Sequence, residues 1–149
     1  MRTAPGSRHN PDTARAAMAR WLPDAGIGYR WEPRLGGWRR TPDQGADSID
    51  VGLRNQSFRG YAAHMRTGEF RAAIDELLAQ PSDDRLTAIM CGETVWWRCH
   101  RKLIADYLTL VRGVTVSHLM HDGRLHAHRP TAEARVDGEW LIYDGPAPD

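Results

Sequence analysis

Lysine is all but missing from this sequence: of the twenty Lys and Arg residues, only Lys102 is lysine. A GC-rich genome accounts for the arginine total. Particular arginines stay open as holders of carboxylate or phosphate, which the planar guanidinium grips bidentately. Net charge is nearly missing too. The formal value is +1, too small a positive field for a generic polyanion binder, which argues against nucleic acid as a partner. No stretch approaches the roughly 20 apolar residues that cross a bilayer, so no membrane partner is expected. Residues 1–11 carry basic side chains with no apolar run behind them, which argues against a secretory signal and for a cytoplasmic chain. Cysteine is scarce: Cys91 and Cys99 are the only two. In the cytoplasm both are expected to be reduced thiols. A chain of 149 residues can still bury roughly 70% of its unfolded surface without disulfides or a structural metal. One domain over residues 1–149 is the expectation.

Periodicity and punctuation predict the elements. Asn10-Pro11 suits a helix start, and Ala14, Ala17, Met18, Trp21 and Leu22 follow at helical spacing, with Gly26 as the stop. Residues 27–31 read as a short strand, Leu35-Gly36-Gly37 as a turn and 41–52 as loop. Helices are expected over 57–65 and from Thr67 to just before Pro81. The apolar run 86–91 reads as a strand buried on both faces. A helix over 98–112 with Leu103, Ile104, Tyr107, Leu108 and Val111 buried, closed by Gly113, comes next, then a strand over 114–120. Asp122-Gly123 and Asp137-Gly138 are hairpin turns, the second leading into strand 139–143, and residues 145–148 read as a frayed tail. The expected class is α/β: a small single-domain sheet flanked by helices, with C-terminal β-hairpins.

Chemistry concentrates between Cys91 and Arg101. In open α/β sheets ligands bind beyond the carboxyl ends of strands. Cys91 would end the buried strand, Glu93 would follow in the loop, and Cys99, His100 and Arg101 would open the next helix. A thiol near a helix N-terminus and near Arg or His⁺ has a depressed pKa and more nucleophilic thiolate. Against this, free cysteine often serves as a small apolar core residue. Cys91, Cys99 and His100 also offer metal-type donors, although seven intervening residues are not the tight knuckle of structural zinc sites. His118, His121, His126 and His128 lie near a hairpin, where histidines are usually solvated. Residues 29–40 interleave aromatics with arginine, a pattern that can stack bases, but an inward-packed strand and turn explain it as well. Trp96-Trp97 either contact a ligand or cap the core.

Several blocks together resemble one bacterial family. They are Ser7-Arg8-His9-Asn10-Pro11, Ala25-Gly26-Ile27, Leu35-Gly36-Gly37, Phe58-Arg59-Gly60-Tyr61-Ala62 with Met65, Met90-Cys91-Gly92-Glu93, Cys99-His100-Arg101 with Leu103-Ile104-Ala105, and Val116 with His118-Leu119. Spread over nearly the whole chain, they resemble the family known as domain of unknown function 488, and the Cys-x-Glu and Cys-His-Arg blocks are the most specific part. The resemblance implies a compact α/β fold and a shared site at the two Cys blocks, with Ser7, Arg8, Gly36, Gly37 and Tyr61 as further candidates. It supplies no activity and no cofactor. It also implies an N-terminal strand–helix–strand ahead of Met1, which would sit at a valine position of the second strand. The expectation is therefore a chain shortened at its N-terminus, either through a misplaced start at a GTG valine codon or through a true truncation.

Three functional readings follow. In the first, a thiol-dependent enzyme acts on a small anionic substrate, with Cys91 as nucleophile or redox thiol and Glu93 as acid/base. His100 tunes the thiolates, and Arg8 and Arg101 hold the anion. The second is a non-enzymatic regulatory module binding a nucleotide or nucleic acid in the same crevice. The third is a metal site at Cys91, Cys99 and His100.

Overall fold

Two of the helices start where a side chain satisfies a free N–H group of the first turn. In the computed structural model, which describes residues 6–39, 47–79 and 86–145, Asn55 accepts a hydrogen bond from the Ser57 amide at 2.8 Å and opens α2, Gln56–Met65. Thr67 Oγ1 accepts from the Phe70 amide and opens α3, Gly68–Leu78. Asn10-Pro11 also starts a helical segment, but only a 3₁₀ turn, Pro11–Thr13, which steps into α1, Arg15–Asp24. Gly26, at φ 74°, takes up the left-handed conformation that ends α1.

α4, Arg101–Leu110, is the most buried helix. Leu103, Ile104, Tyr107 and Leu108 pack against Tyr61, Met65, Phe70 and Ile74 of α2 and α3 in one core cluster. Phe70 meets Tyr61 and Tyr107 edge-on, at 6.3 and 5.1 Å between ring centres, the arrangement favoured by the aromatic quadrupole. α4 also buries Asp106 completely, which its apolar periodicity gave no reason to expect.

The expected α/β class and its C-terminal hairpins are present. β1, Ser117–Leu119, pairs antiparallel with β2, Leu125–Ala127, through the turn containing Gly123 at φ 80°. β3, Ala134–Asp137, pairs with β4, Trp140–Tyr143, through Gly138 at φ 61°. Leu141 and Tyr143 of β4 enter the core. Asp50, fully buried, pairs with Arg66 at 2.8 Å and accepts the Tyr143 amide at 3.1 Å, tying α2's end to β4.

Two expected strands do not form. Residues 27–31 are irregular and lead into a 3₁₀ turn, Pro33–Leu35. Residues 86–91 are also irregular, with Leu86 97% and Met90 64% exposed. An apolar run becomes a strand only when a neighbouring edge takes its N–H and C=O groups, and among the described residues none pairs with either segment. The helix expected over 98–112 is shorter, because Trp96–Arg98 form a separate 3₁₀ turn and Cys99 is extended. The strand expected over 114–120 narrows to β1. No helix among the described residues is long and apolar enough to cross a membrane. The expectations on Met1, on the first part of the 41–52 loop, on a helix stop at Pro81 and on the tail beyond Gly145 lie outside the described residues.

Candidate functional site

Cys91 does not end a buried strand, yet it meets Cys99. The 3₁₀ turn Trp96–Arg98 folds the chain back so that the Cys99 amide bonds to the Trp96 carbonyl at 3.2 Å, and the two sulfurs stand 2.9 Å apart as free thiols. Cys99 is fully buried and Cys91 half-buried. Every other polar neighbour of Cys99 Sγ favours negative charge there. The Arg101 amide and its Nε each donate at 3.4 Å, and His100 Nδ1 lies at 3.4 Å. No side chain caps α4 in the usual way, so Cys99 Sγ occupies the position of an anionic cap at the positive end of the helix. Besides Cys99, Cys91 Sγ meets one donor among the described residues, the Glu93 amide at 3.3 Å.

The pair therefore holds one proton tightly and gives up the other easily. Cys99 falls well below an ordinary thiol, chiefly through the hydrogen bond from Cys91, aided by His100 and Arg101. Cys91 rises well above it, because its proton is shared with Cys99 and because it is partly buried. The two titrate as a unit.

The other sequence candidates distribute unevenly. Arg101 is central: besides holding Cys99 it clamps the loop through the Glu93 carbonyl at 2.6 Å. Glu93 thus contributes backbone groups. Its side chain is exposed, and its carboxylate makes no hydrogen bond among the described residues. Tyr61 is fully buried, its ring 5.1 Å from that of His100, and its hydroxyl donates to the Leu35 carbonyl at 2.8 Å. It links the Gly36-Gly37 turn to the thiols as a buried strut, with burial pushing its pKa up. A Cβ on Gly36 would come to 3.0 Å from the Pro33 carbonyl oxygen, which explains a glycine in that turn without any ligand. Arg8 is exposed, and Ser7 Oγ accepts the His9 amide; among the described residues no hydrogen bond or ion pair ties either to the thiols.

Cys91, Cys99 and His100 do place their donor atoms within 4.8 Å of one another, so the seven-residue spacing is bridged in space. Two thiolates on a tetrahedral zinc, each about 2.3 Å from it, stand about 3.8 Å apart. The observed 2.9 Å is shorter than that, and the Arg101 guanidinium already lies against Cys99 Sγ.

A second cluster corrects the expectation of solvated histidines. His118 and His128 are buried. His118 Nε2 lies 2.9 Å from His128 Nδ1, and His128 Nε2 lies 2.8 Å from Asp106 Oδ1. Asp106 also accepts from the Thr131 amide, the Thr131 hydroxyl and the Tyr143 hydroxyl, at 2.9, 2.7 and 3.0 Å. Trp96 lies flat on His118, 3.7 Å between ring centres, so of the expected Trp pair Trp96 caps this cluster while Trp97 is 46% exposed. An open cleft of about 380 Å³ beside it is lined by Trp96, His126, Ala127 and Arg129. His121 and His126 are exposed, as expected. Hairpin register places His118 opposite His126, which leaves His128 as its diagonal neighbour. That signal was in the spacing of the histidines; their burial was not.

A family model described as "Domain of unknown function DUF488" matches residues 1–108. The chain belongs to this family. The DUF488 match includes Cys91, Glu93, Cys99, His100, Arg101 and Asp106, and ends before His118 and His128. Comparison with curated proteins and with solved structures gave no match.

Proposed function

We propose that this DUF488 protein is a thiol-dependent enzyme acting on a small anionic substrate. One observation carries the reading: two free cysteine sulfurs in contact at 2.9 Å, the buried one also against Arg101 Nε and His100 Nδ1. Cys91, the sulfur that solvent reaches, is the nucleophile. As it attacks an electrophilic carbon its proton passes to Cys99 Sγ, so a thiolate forms at Cys91 only when a substrate draws it out. Arg101, half-buried with its Nε on Cys99 Sγ, is the group that receives the anion. Glu93 shapes the loop through its backbone, and His100 steadies the charge on Cys99.

The experiment is thiol alkylation by iodoacetamide, followed by mass spectrometry from pH 4 to pH 10. The expected result is modification first at Cys91, with a rate that already responds to pH well below the ordinary thiol range of about 8.5. A single inflection near 8.5 at both cysteines would refute an activated pair. The metal reading makes a different prediction, stoichiometric zinc or iron in untagged protein, with both cysteines shielded from the reagent until a chelator is added.

A further inference from the structure

The hydrogen bonds around Asp106 have a direction. Its two carboxylate oxygens accept the Thr131 amide and hydroxyl, the Tyr143 hydroxyl and the His128 Nε2–H. Three of these donors, from Thr131 and Tyr143, are fixed by chemistry, which makes Asp106 the acceptor toward His128 as well. With one proton on each ring, His128 carries its own on Nε2 and accepts on Nδ1, and the 2.9 Å contact is donated by His118 Nε2–H. His118 then presents a bare lone pair on Nδ1. That atom has no partner among the described residues, and the buried unpartnered atoms there are Tyr29 OH, Arg39 Nε and Thr109 Oγ1. Nδ1 of His118 therefore reaches solvent.

Asp106 and its partners tie α4 to Thr131 and β4, and His118 satisfies the Nδ1 of His128, whose side chain is fully buried. Beyond that, His118 presents a basic nitrogen on a ring held by His128 and, through it, by the buried Asp106. One contact joins it to the thiol loop: Trp96, flat on His118, gives its carbonyl to the Cys99 amide.

We propose that His118 is the general base of a hydrolytic half-reaction at the thiol site, with His128 and Asp106 as its positioning residues. This rests on the thiol reading above and extends it to a substrate class, small activated acyl compounds, with water as the second substrate. In the first step Cys91 sulfur bonds to the acyl carbon, the leaving group departs with its electron pair, and the Cys91 proton moves to Cys99. In the second, a water gives one proton to His118 Nδ1 while its oxygen bonds to the acyl carbon. The carbon–sulfur bond breaks, and its electron pair returns to Cys91, which recovers its proton from Cys99. The carboxylic acid and the His118 imidazolium then lose their protons to solvent. Facing His118 are His128, Arg101, Asp106 and His126. Bound anion on Arg101 removes one of the charges that oppose protonation, so the base strengthens when substrate is present.

The test uses the full chain and p-nitrophenyl acetate. Wild type is expected to release a burst of one p-nitrophenolate per chain and then turn over slowly. His118→Gln, whose amide can still donate to His128, is expected to keep the burst and lose at least tenfold in the steady rate. Its pH dependence is expected to flatten, since a general base contributes about 10²–10⁴-fold. A kept burst with unchanged turnover overturns the relay and leaves the thiol reading standing. No burst in wild type overturns both. Should the variant lose its fold, ¹⁵N imidazole shifts of the wild-type protein decide. A bare Nδ1 on His118 sustains the relay, and a protonated Nδ1 at neutral pH overturns it.

Discussion

The Trp96 indole and the His118 imidazole are stacked 3.7 Å apart and parallel to within 1°. Burial and the neighbouring His128 push the His118 pKa down to about 4, with Arg101 adding to the effect. The imidazole under Trp96 is therefore neutral near pH 7. An imidazolium quenches a stacked indole, so Trp96 emission is expected to fall with a midpoint near pH 4. The measurement is the difference between wild type and Trp96→Phe. His118→Gln should abolish the titration, and a titration that survives in it would mean that Trp96 reports some other group.

The same depression makes a statement about stability. Unfolded, His118 titrates near its ordinary value of 6.5; folded, near 4. As pH falls through this window the unfolded chain takes up the proton first. The stability from neutral His118 is complete above about 6.5, declines below it, and levels off below about 4. The loss is on the order of 3 kcal/mol. His64, lowered by burial as well, acts in the same direction. Urea unfolding at pH 7, 5.5 and 4 is expected to show the decline, and His118→Gln is expected to show a shallower one.

Arg101 reaches Cys99 through both its backbone amide and its Nε. Arg101→Met keeps the first and removes the second, along with the charge. The pH at which iodoacetamide modifies Cys91 is expected to move up by about one unit or more, with the melting temperature little changed. Cys99→Ser is expected to return Cys91 to an ordinary thiol near 8.5. If Arg101→Met leaves the profile where it was, the guanidinium does not stabilise the thiolate.

Asp50 is fully buried between Arg66 and the Tyr143 amide. Asp50→Ala strips the partner from a largely buried guanidinium and from a backbone N–H. The expected cost is about 3–5 kcal/mol in denaturant unfolding. A loss under about 1 kcal/mol would show that Arg66 finds water instead.

Gly52 donates its amide to the Tyr143 carbonyl at 2.8 Å, with Glu133 packed over it. A Cβ there would meet Glu133 Cβ at 2.8 Å and the Tyr143 oxygen at 2.9 Å. Gly52→Ala is therefore expected to destabilise by about 1–3 kcal/mol, while Gly68→Ala, with open space around its Cβ position, is expected to be neutral or stabilising. Equal melting temperatures for the two variants would contradict the close approach of the 50–52 turn to β4.

What the sequence determined by itself is what local physics decides. The apolar spacing of Tyr61, Met65, Phe70 and Ile74 makes α2 and α3 whatever lies around them, and Asn55 and Thr67 start them. Asp-Gly dipeptides close both hairpins, because glycine tolerates positive φ at no cost. The Cys91 and Cys99 blocks were legible as a candidate site because a thiol beside arginine at a helix start has unusual chemistry wherever it occurs. Tertiary structure alone decided the rest. Residues 27–31 and 86–91 have strand-like composition, but a strand is a relation to a partner edge, and no partner is encoded in the run itself. Cys91 meets Cys99 through a 3₁₀ turn rather than across a strand end. His118 and His128 looked like solvated hairpin histidines, and nothing in the pattern of α4 singled out Asp106. They are joined across 22 and 10 residues of chain separation, where the low dielectric of a shared interior, not any local pattern, makes their hydrogen bonds count.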